Sequence, residues 1–312
     1  MSSNPPVKHH FIPEFLLKQW AVNEGKLWRF VQPIPGKIVP KHVAPAEIGY
    51  KKHLYSLPGL PASQAQKVET SFMSPLDSLA AEAHQLLLLD KAENMSIEHR
   101  SAWSRFIMSL WYRTPDGLHY LKKAMNLILR LPDDSMNKSY KCLRTRGSAE
   151  SIEDIIAELE PEFPEKTAIY TLPELIDNPI NGRRINNMNW FVVETIHGRE
   201  FLISDALLLQ SKTGIFSDDG YITIPIAPRK LFVAVSQVGK AKAMAALPRN
   251  EFIHRNNRAV VRRASVFVGS TDLSQQRFIK ENFGLEQHYT VIRSLAERYR
   301  SEVENNTMEP VP

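Results

Sequence analysis

Ser96-Ile97-Glu98-His99-Arg100-Ser101-Ala102-Trp103-Ser104-Arg105-Phe106-Ile107-Met108-Ser109-Leu110-Trp111-Tyr112-Arg113-Thr114-Pro115-Asp116 is the stretch whose periodicity decides the fold. Trp103, Phe106, Ile107, Leu110 and Trp111 stand at i, i+3, i+4, i+7 and i+8, so five large apolar groups share one helix face. Ser96 supplies an N-cap and Glu98 an acid for the first turn. Thr114-Pro115-Asp116 then closes this helix and opens another with a cap, a first-position proline and an acidic first turn. That second helix turns Leu118, Leu121, Met125, Ile128 and Leu129 inward. Two amphipathic helices joined by so short a link pack antiparallel.

Working outward, residues 64–89 predict a further helix, bent or broken at Pro75, where Ser74 can cap a restart with Leu76, Leu79 and Ala83 on its apolar side. Before it, Pro13 and Glu14 suit the start of a short helix carrying Leu16, Leu17 and Trp20, and residues 26–32 alternate as a strand does. Beyond it, residues 189–196 and 200–204, separated by His197-Gly198-Arg199, read as a hairpin. Residues 221–226 and 231–236 read as two more strands, and 265–269 as a short one. Helices are expected over 239–247, 251–264 and 273–283. The fold class is therefore α+β: an antiparallel helical core packed with a small, mainly antiparallel sheet. One composite domain is expected over 1–300, comprising an N-terminal motif with short strands (1–60), the helical core (63–131), an insertion (132–182) and a mixed α/β part (183–300). A loose tail follows at 301–312.

The insertion is defined by charge. Lys138, Lys141, Arg144 and Arg146 come without an acid among them, and Glu150, Glu153, Asp154, Glu158, Glu160, Glu162 and Glu165 without a base. Such runs are the mark of a solvated face. The 312 residues hold 39 Lys plus Arg against 34 Asp plus Glu, a formal charge of +5. Outside the acidic run 39 bases face 27 acids, so the remainder is +12 and points to an anionic partner. A single cysteine, Cys142, excludes an internal disulfide. No apolar run approaches the ~18 residues of a membrane helix, and residues 1–8 lack the apolar core of a secretory signal. A cytoplasmic protein is expected, with no membrane partner and an oligomeric state left open.

Four groups of residues carry candidate chemistry. In His9-His10-Phe11-Ile12-Pro13-Glu14 a histidine can exchange protons near pH 7, and Glu14, four residues after His10, can orient it or share a divalent metal. The same pair also fits a surface position or a histidine satisfied by a backbone carbonyl. Glu69, Arg105 and Arg113 lie on the helical core. Arg113 can clamp a phosphate or carboxylate through its planar fork, complement its helix dipole, or pair with a buried Glu69. Ser204-Asp205 ends a strand, where a carboxylate can serve as base or metal ligand, or merely cap a turn. Last, Arg255, Arg258 and Arg262, with Asn257 beside them, project from one helix face and would make phosphate binding salt dependent, unless they are an ordinary solvated face. Phosphate-cradling glycine loops, CxxC pairs, the GxSxG elbow and the zinc-protease histidine spacing are absent. So is an acid and a lysine on a strand after Asp205, the spacing of a two-metal nuclease.

His9 to Trp20, Arg113-Thr114-Pro115, Phe201-Leu202-Ile203-Ser204-Asp205, Ile224-Pro225-Ile226-Ala227-Pro228 and the helix around Asn257 resemble, in that order, the family catalogued as domain of unknown function 4238. Two departures stand out. Members commonly carry Asn-Pro after the Ser-Asp, where this chain has Ala206-Leu207, and they usually lack so long a charged insertion. The resemblance implies no agreed activity, but it singles out His10, Glu14, Glu69, Arg113 and Asp205 as a group. Taken with the residue chemistry, the expected function is hydrolysis of a phosphodiester in RNA or DNA, with His9 or His10 as acid or base. The alternative is a non-catalytic module that binds nucleic acid or an acidic partner.

Overall fold

A computed structural model describes residues 7–22, 24–130, 134–158, 160–239, 244, 248–286 and 297. The architecture is α+β, with helices packed against three small antiparallel sheets. A two-stranded ribbon joins β1 (Lys8–His10) to β4 (Tyr50–Lys52). In the second sheet, β3 (Lys37–Val43), β2 (Leu27–Ile34), β10 (Val268–Ser270) and β6 (Ile203–Ser204) lie in that order. In the third the order is β5 (Asn189–Glu194), β9 (Lys230–Val235), β8 (Tyr221–Ala227) and β7 (Leu209–Gln210).

The helical core follows from the apolar periodicity of residues 96–116. Helix α4 (Ile97–Tyr112) is capped by Ser96, whose hydroxyl accepts from the His99 amide, and its five-residue apolar face is fully buried. Burial of each such side chain contributes about 1.5–3 kcal/mol. Trp103 stacks on His84 of α3 (Ser74–Leu88) and meets the Phe232 edge of β9, so this one residue joins two helices to a sheet. Thr114 caps α5 (Pro115–Arg130) by accepting from the Gly117 amide. Short α1 (Glu14–Leu17) buries Leu16 and Leu17, and Trp20 donates its indole N–H to the Phe201 carbonyl at 2.8 Å.

Three expectations are corrected. Residues 189–204 are not a hairpin: β5 pairs with β9 and β6 with β10, because Phe201 donates to the Pro228 carbonyl and the chain passes from one sheet to the other. The insertion is only half solvated. Its second part folds as α8 (Phe163–Tyr170), α9 (Leu172–Ile176) and the first half of α10 (Pro179–Asn186), and buries Ile169, Leu172 and Ile176 in the main core. Its apolar residues were hidden in the sequence by the carboxylates around them. Ser74 does not cap a restarted helix either, since it is itself helical and α3 runs on from a π-turn over Glu69–Met73. Most of the expected helix at 239–247 and the whole tail at 301–312 lie outside the described residues.

Candidate functional site

Where the ribbon meets α3 and α4, Arg113 is the organising side chain. It follows α4, its residue is wholly buried, and its guanidinium forks onto Asp77 of α3, with Nη1 to Oδ1 at 2.6 Å and Nη2 to Oδ2 at 2.8 Å. Nη2 also donates to the His10 carbonyl at 2.8 Å, which ties the end of β1 to the helical core. The backbone carbonyl of Arg113 accepts from the buried Tyr55 hydroxyl at 2.6 Å. Burial alone would lower the arginine's pKa, but the Asp77 carboxylate overrides it and holds the group charged above its ordinary value.

Glu69 sits at the first position of the π-turn, whose signature is the Ser74 amide donating five residues back to the Glu69 carbonyl. Pro75 has no N–H to give and its ring would strike the carbonyl four residues earlier, so a turn one residue wider relieves both problems. The result aims Glu69 inward. It is 9% exposed, its Oε1 accepts from the Ser74 hydroxyl at 3.3 Å, and its Oε2 has no hydrogen-bond partner among the described residues. Burial, with the Asp77 charge added and Arg113 and Ser74 opposing, pushes its carboxyl up to about 7.

His10 lies on the other side of the Arg113 fork. Its side chain is 17% exposed and its Nε2 faces Glu14 Oε1 at 3.7 Å without a hydrogen bond. Burial, joined by the Arg113 charge and opposed by Glu14, lowers its pKa below the ordinary 6.5. Glu14 is 37% exposed, so solvent reaches the cluster from its side. The usual order of proton affinity is thus reversed: the carboxyl titrates at about 7 and the histidine below 6.5, so the histidine loses its proton at a lower pH than the carboxyl does. Two groups whose environments push their pKa values across one another are suited to acid–base work.

The structure links His10, Glu14 and Glu69 through Arg113, whose fork bonds the His10 carbonyl beside Glu14 and whose charge acts on Glu69, and it removes the other expected residues. His9 is fully buried, stacks on Tyr55, and accepts from the Tyr55 amide at Nδ1, so it packs the ribbon rather than exchanging protons with substrate. Arg113 does not pair with Glu69 and has no fork left for a phosphate, because Asp77 and the His10 carbonyl occupy it. Arg105 is ion-paired with Asp177 at 2.7 Å, away from the cluster. Asp205 is a structural carboxylate: it accepts from the amides of Ser265, Val266 and Phe267 and from the Ser265 hydroxyl, which leaves it no role beside His10. Burial raises its pKa while those four donors oppose the shift.

The basic helix, α11 (Arg249–Arg262), is similarly corrected as a phosphate surface. Arg255 pairs with Glu251 and Arg262 with Glu286 at 2.6 Å. Asn257 is buried, accepting from the Leu202 amide and donating to the Glu200 carbonyl. Arg258 alone of the three arginines is exposed with no ion pair to a described residue. Among the described residues no three His, Cys, Asp or Glu side chains gather as a bound metal would require. No described helix is long and apolar enough to cross a membrane.

Asp77 and Tyr55 were missed in the sequence. Ser74-Pro75-Leu76-Asp77 has the form of a helix-capping sequence, and that local reading conceals a long-range partner for Arg113. Fold and site together define an α+β protein with a half-buried histidine–carboxylate–arginine cluster between its N-terminal ribbon and its helical core. The chain belongs to the family described as protein of unknown function DUF4238, which matches residues 8–273 and so includes every member of the cluster. No curated protein and no solved structure matches it.

Proposed function

We propose that the protein is a hydrolase that cleaves a phosphodiester of RNA or DNA at the His10–Glu69 cluster. The observation that carries this reading is the Arg113 fork, which holds the His10 backbone and Asp77 in one buried neighbourhood with Glu69. His10 Nε2 takes the proton of an attacking water as the new P–O bond forms. Glu69 gives its proton to the departing oxygen as the old P–O bond breaks, and solvent returns the proton from His10 to Glu69 afterwards. Glu14 steadies the imidazolium formed in between, and Arg113 positions the two groups without touching the phosphate. His10→Ala in purified, folded protein should lower turnover by about 10²–10⁴; an unchanged rate refutes the proposal.

The second reading, a binding module without turnover, draws on the exposed cations of the chain. It predicts that His10→Ala binds nucleic acid as tightly as the unmodified chain and that neither protein cleaves it.

A further inference from the structure

The ribbon that carries His10 has a composition unlike its surroundings. Its two strands read Lys8-His9-His10 and Tyr50-Lys51-Lys52 and contain no acid. Pairing sets Lys8 opposite Lys52 and His10 opposite Tyr50. Directly opposed residues, and those two apart on one strand, share a face, so one face presents Lys8, Lys52, Tyr50 and His10 together. Like charges set directly across a strand pair repel, so the Lys8–Lys52 pairing does not itself stabilise the ribbon. Lys8 is exposed and lies over the Tyr50 ring at 4.6 Å, with its ammonium also 3.4 Å from the Ala46 carbonyl. Lys52 is exposed and forms no ion pair with a described residue. Tyr50 is half-buried and its ring meets that of His10 at 5.6 Å.

We infer that this ribbon face is the track that holds the phosphate backbone of a single-stranded nucleic acid and leads it to His10. The inference rests on the hydrolase reading for its direction but not for its existence. Lys8 and Lys52 neutralise two neighbouring phosphates, the Lys8 ammonium leaving the Tyr50 ring for its phosphate so that the ring is open to an unstacked base, and His10 lies about 7 Å further along the strand, two residues at ~3.4 Å each. A single strand fits because its bases are free to stack and its backbone is narrow enough for a two-strand ribbon. This replaces α11 as the anion-binding surface: there two of the three arginines are ion-paired, whereas here the lysines are not.

The test is fluorescence anisotropy with labelled 20-nucleotide single-stranded RNA and DNA probes, using full-length protein carrying Glu69→Gln so that cleavage cannot distort binding. The Lys8→Ala/Lys52→Ala pair should weaken binding at least tenfold at low salt and reduce the salt slope by about 1.4, at ~0.7 per phosphate on a single strand. Lys8→Gln/Lys52→Gln, which keeps the aliphatic stems, should do the same, while Lys51→Ala on the opposite face and Arg258→Ala on α11 should change affinity less than threefold. The RNA and DNA arms show which backbone is preferred. Absence of binding to both probes, retention of affinity in both double variants, or an equal loss from Lys51→Ala overturns the inference. Binding that follows this pattern in a protein that never cleaves would defeat the hydrolase reading and leave the ribbon assignment standing.

Discussion

Replacing Asp77 by alanine probes the organisation of the cluster most severely. The Arg113 side chain is 1% exposed and holds Asp77 by two charge-assisted hydrogen bonds, while Asp77 itself is 21% exposed. Removing one partner of a buried ion pair strands the other charge, at a cost of about 3–5 kcal/mol. Water can reach the vacated Asp77 position, which places the expected loss near the lower end, at ~3 kcal/mol. For a chain of this length ~3 kcal/mol lowers the melting temperature by roughly 5 °C. The variant also relieves Glu69 of a repelling charge and leaves Arg113 free to attract it, so the Glu69 pKa should fall from about 7 toward its ordinary value. Urea and thermal melts followed by circular dichroism measure the first effect. The double variant Asp77→Ala/Arg113→Met, which removes both charges, should recover most of the loss, because it is the unpaired guanidinium and not the missing bond that destabilises. A single variant within ~1 kcal/mol of the parent, or a double variant less stable than the single, would refute the reasoning.

Two further outcomes follow from the same electrostatics. Glu69 binds its proton more tightly folded than unfolded, so its stabilising contribution is complete below about pH 4.5 and lost as the pH rises through about 7, by roughly 3 kcal/mol. His10, with its pKa lowered, acts oppositely and loses stability as the pH falls below 6.5; urea melts between pH 5 and 8 should therefore show Glu69→Gln without the alkaline decline of the parent. Asp205→Ala leaves three amides and a hydroxyl around residues 265–267 without their acceptor and should destabilise by about 3 kcal/mol or more. If enough protein folds, its turnover per folded molecule should match the parent, and a selective loss of turnover at full stability would restore Asp205 to the site.

Much of the fold was legible because the α4 stripe and the Thr114-Pro115-Asp116 junction are local signals, and local signals survive in a sequence. Strand pairing is not local. Nothing within 189–204 says that its two strands belong to different sheets, since the bond from Phe201 to the Pro228 carbonyl that divides them spans 27 residues. The site was half legible for the same reason. His10 and Glu14 lie four apart, but Arg113 finds Asp77 from 36 residues away, and Glu69 is turned inward by a π-turn that Pro75 imposes. Asp205 and Asn257 misled because a polar side chain that satisfies buried backbone looks, in sequence, like one reserved for chemistry. The arginines of α11 misled because Glu286, the partner of Arg262, lies beyond the helix.

The central claim is that His10 accepts and Glu69 donates the proton in phosphodiester cleavage. Its most direct test is the pH dependence of single-turnover cleavage of a single-stranded oligonucleotide by the parent and by Glu69→Gln. The parent should give a bell whose alkaline limb falls near pH 7, where Glu69 loses its proton, and whose acid limb lies below 6.5, where His10 gains one. Glu69→Gln should be slower by about 10²–10⁴ and lack the alkaline limb. A parent that does not cleave, or a variant that keeps both the rate and the limb, would contradict the account.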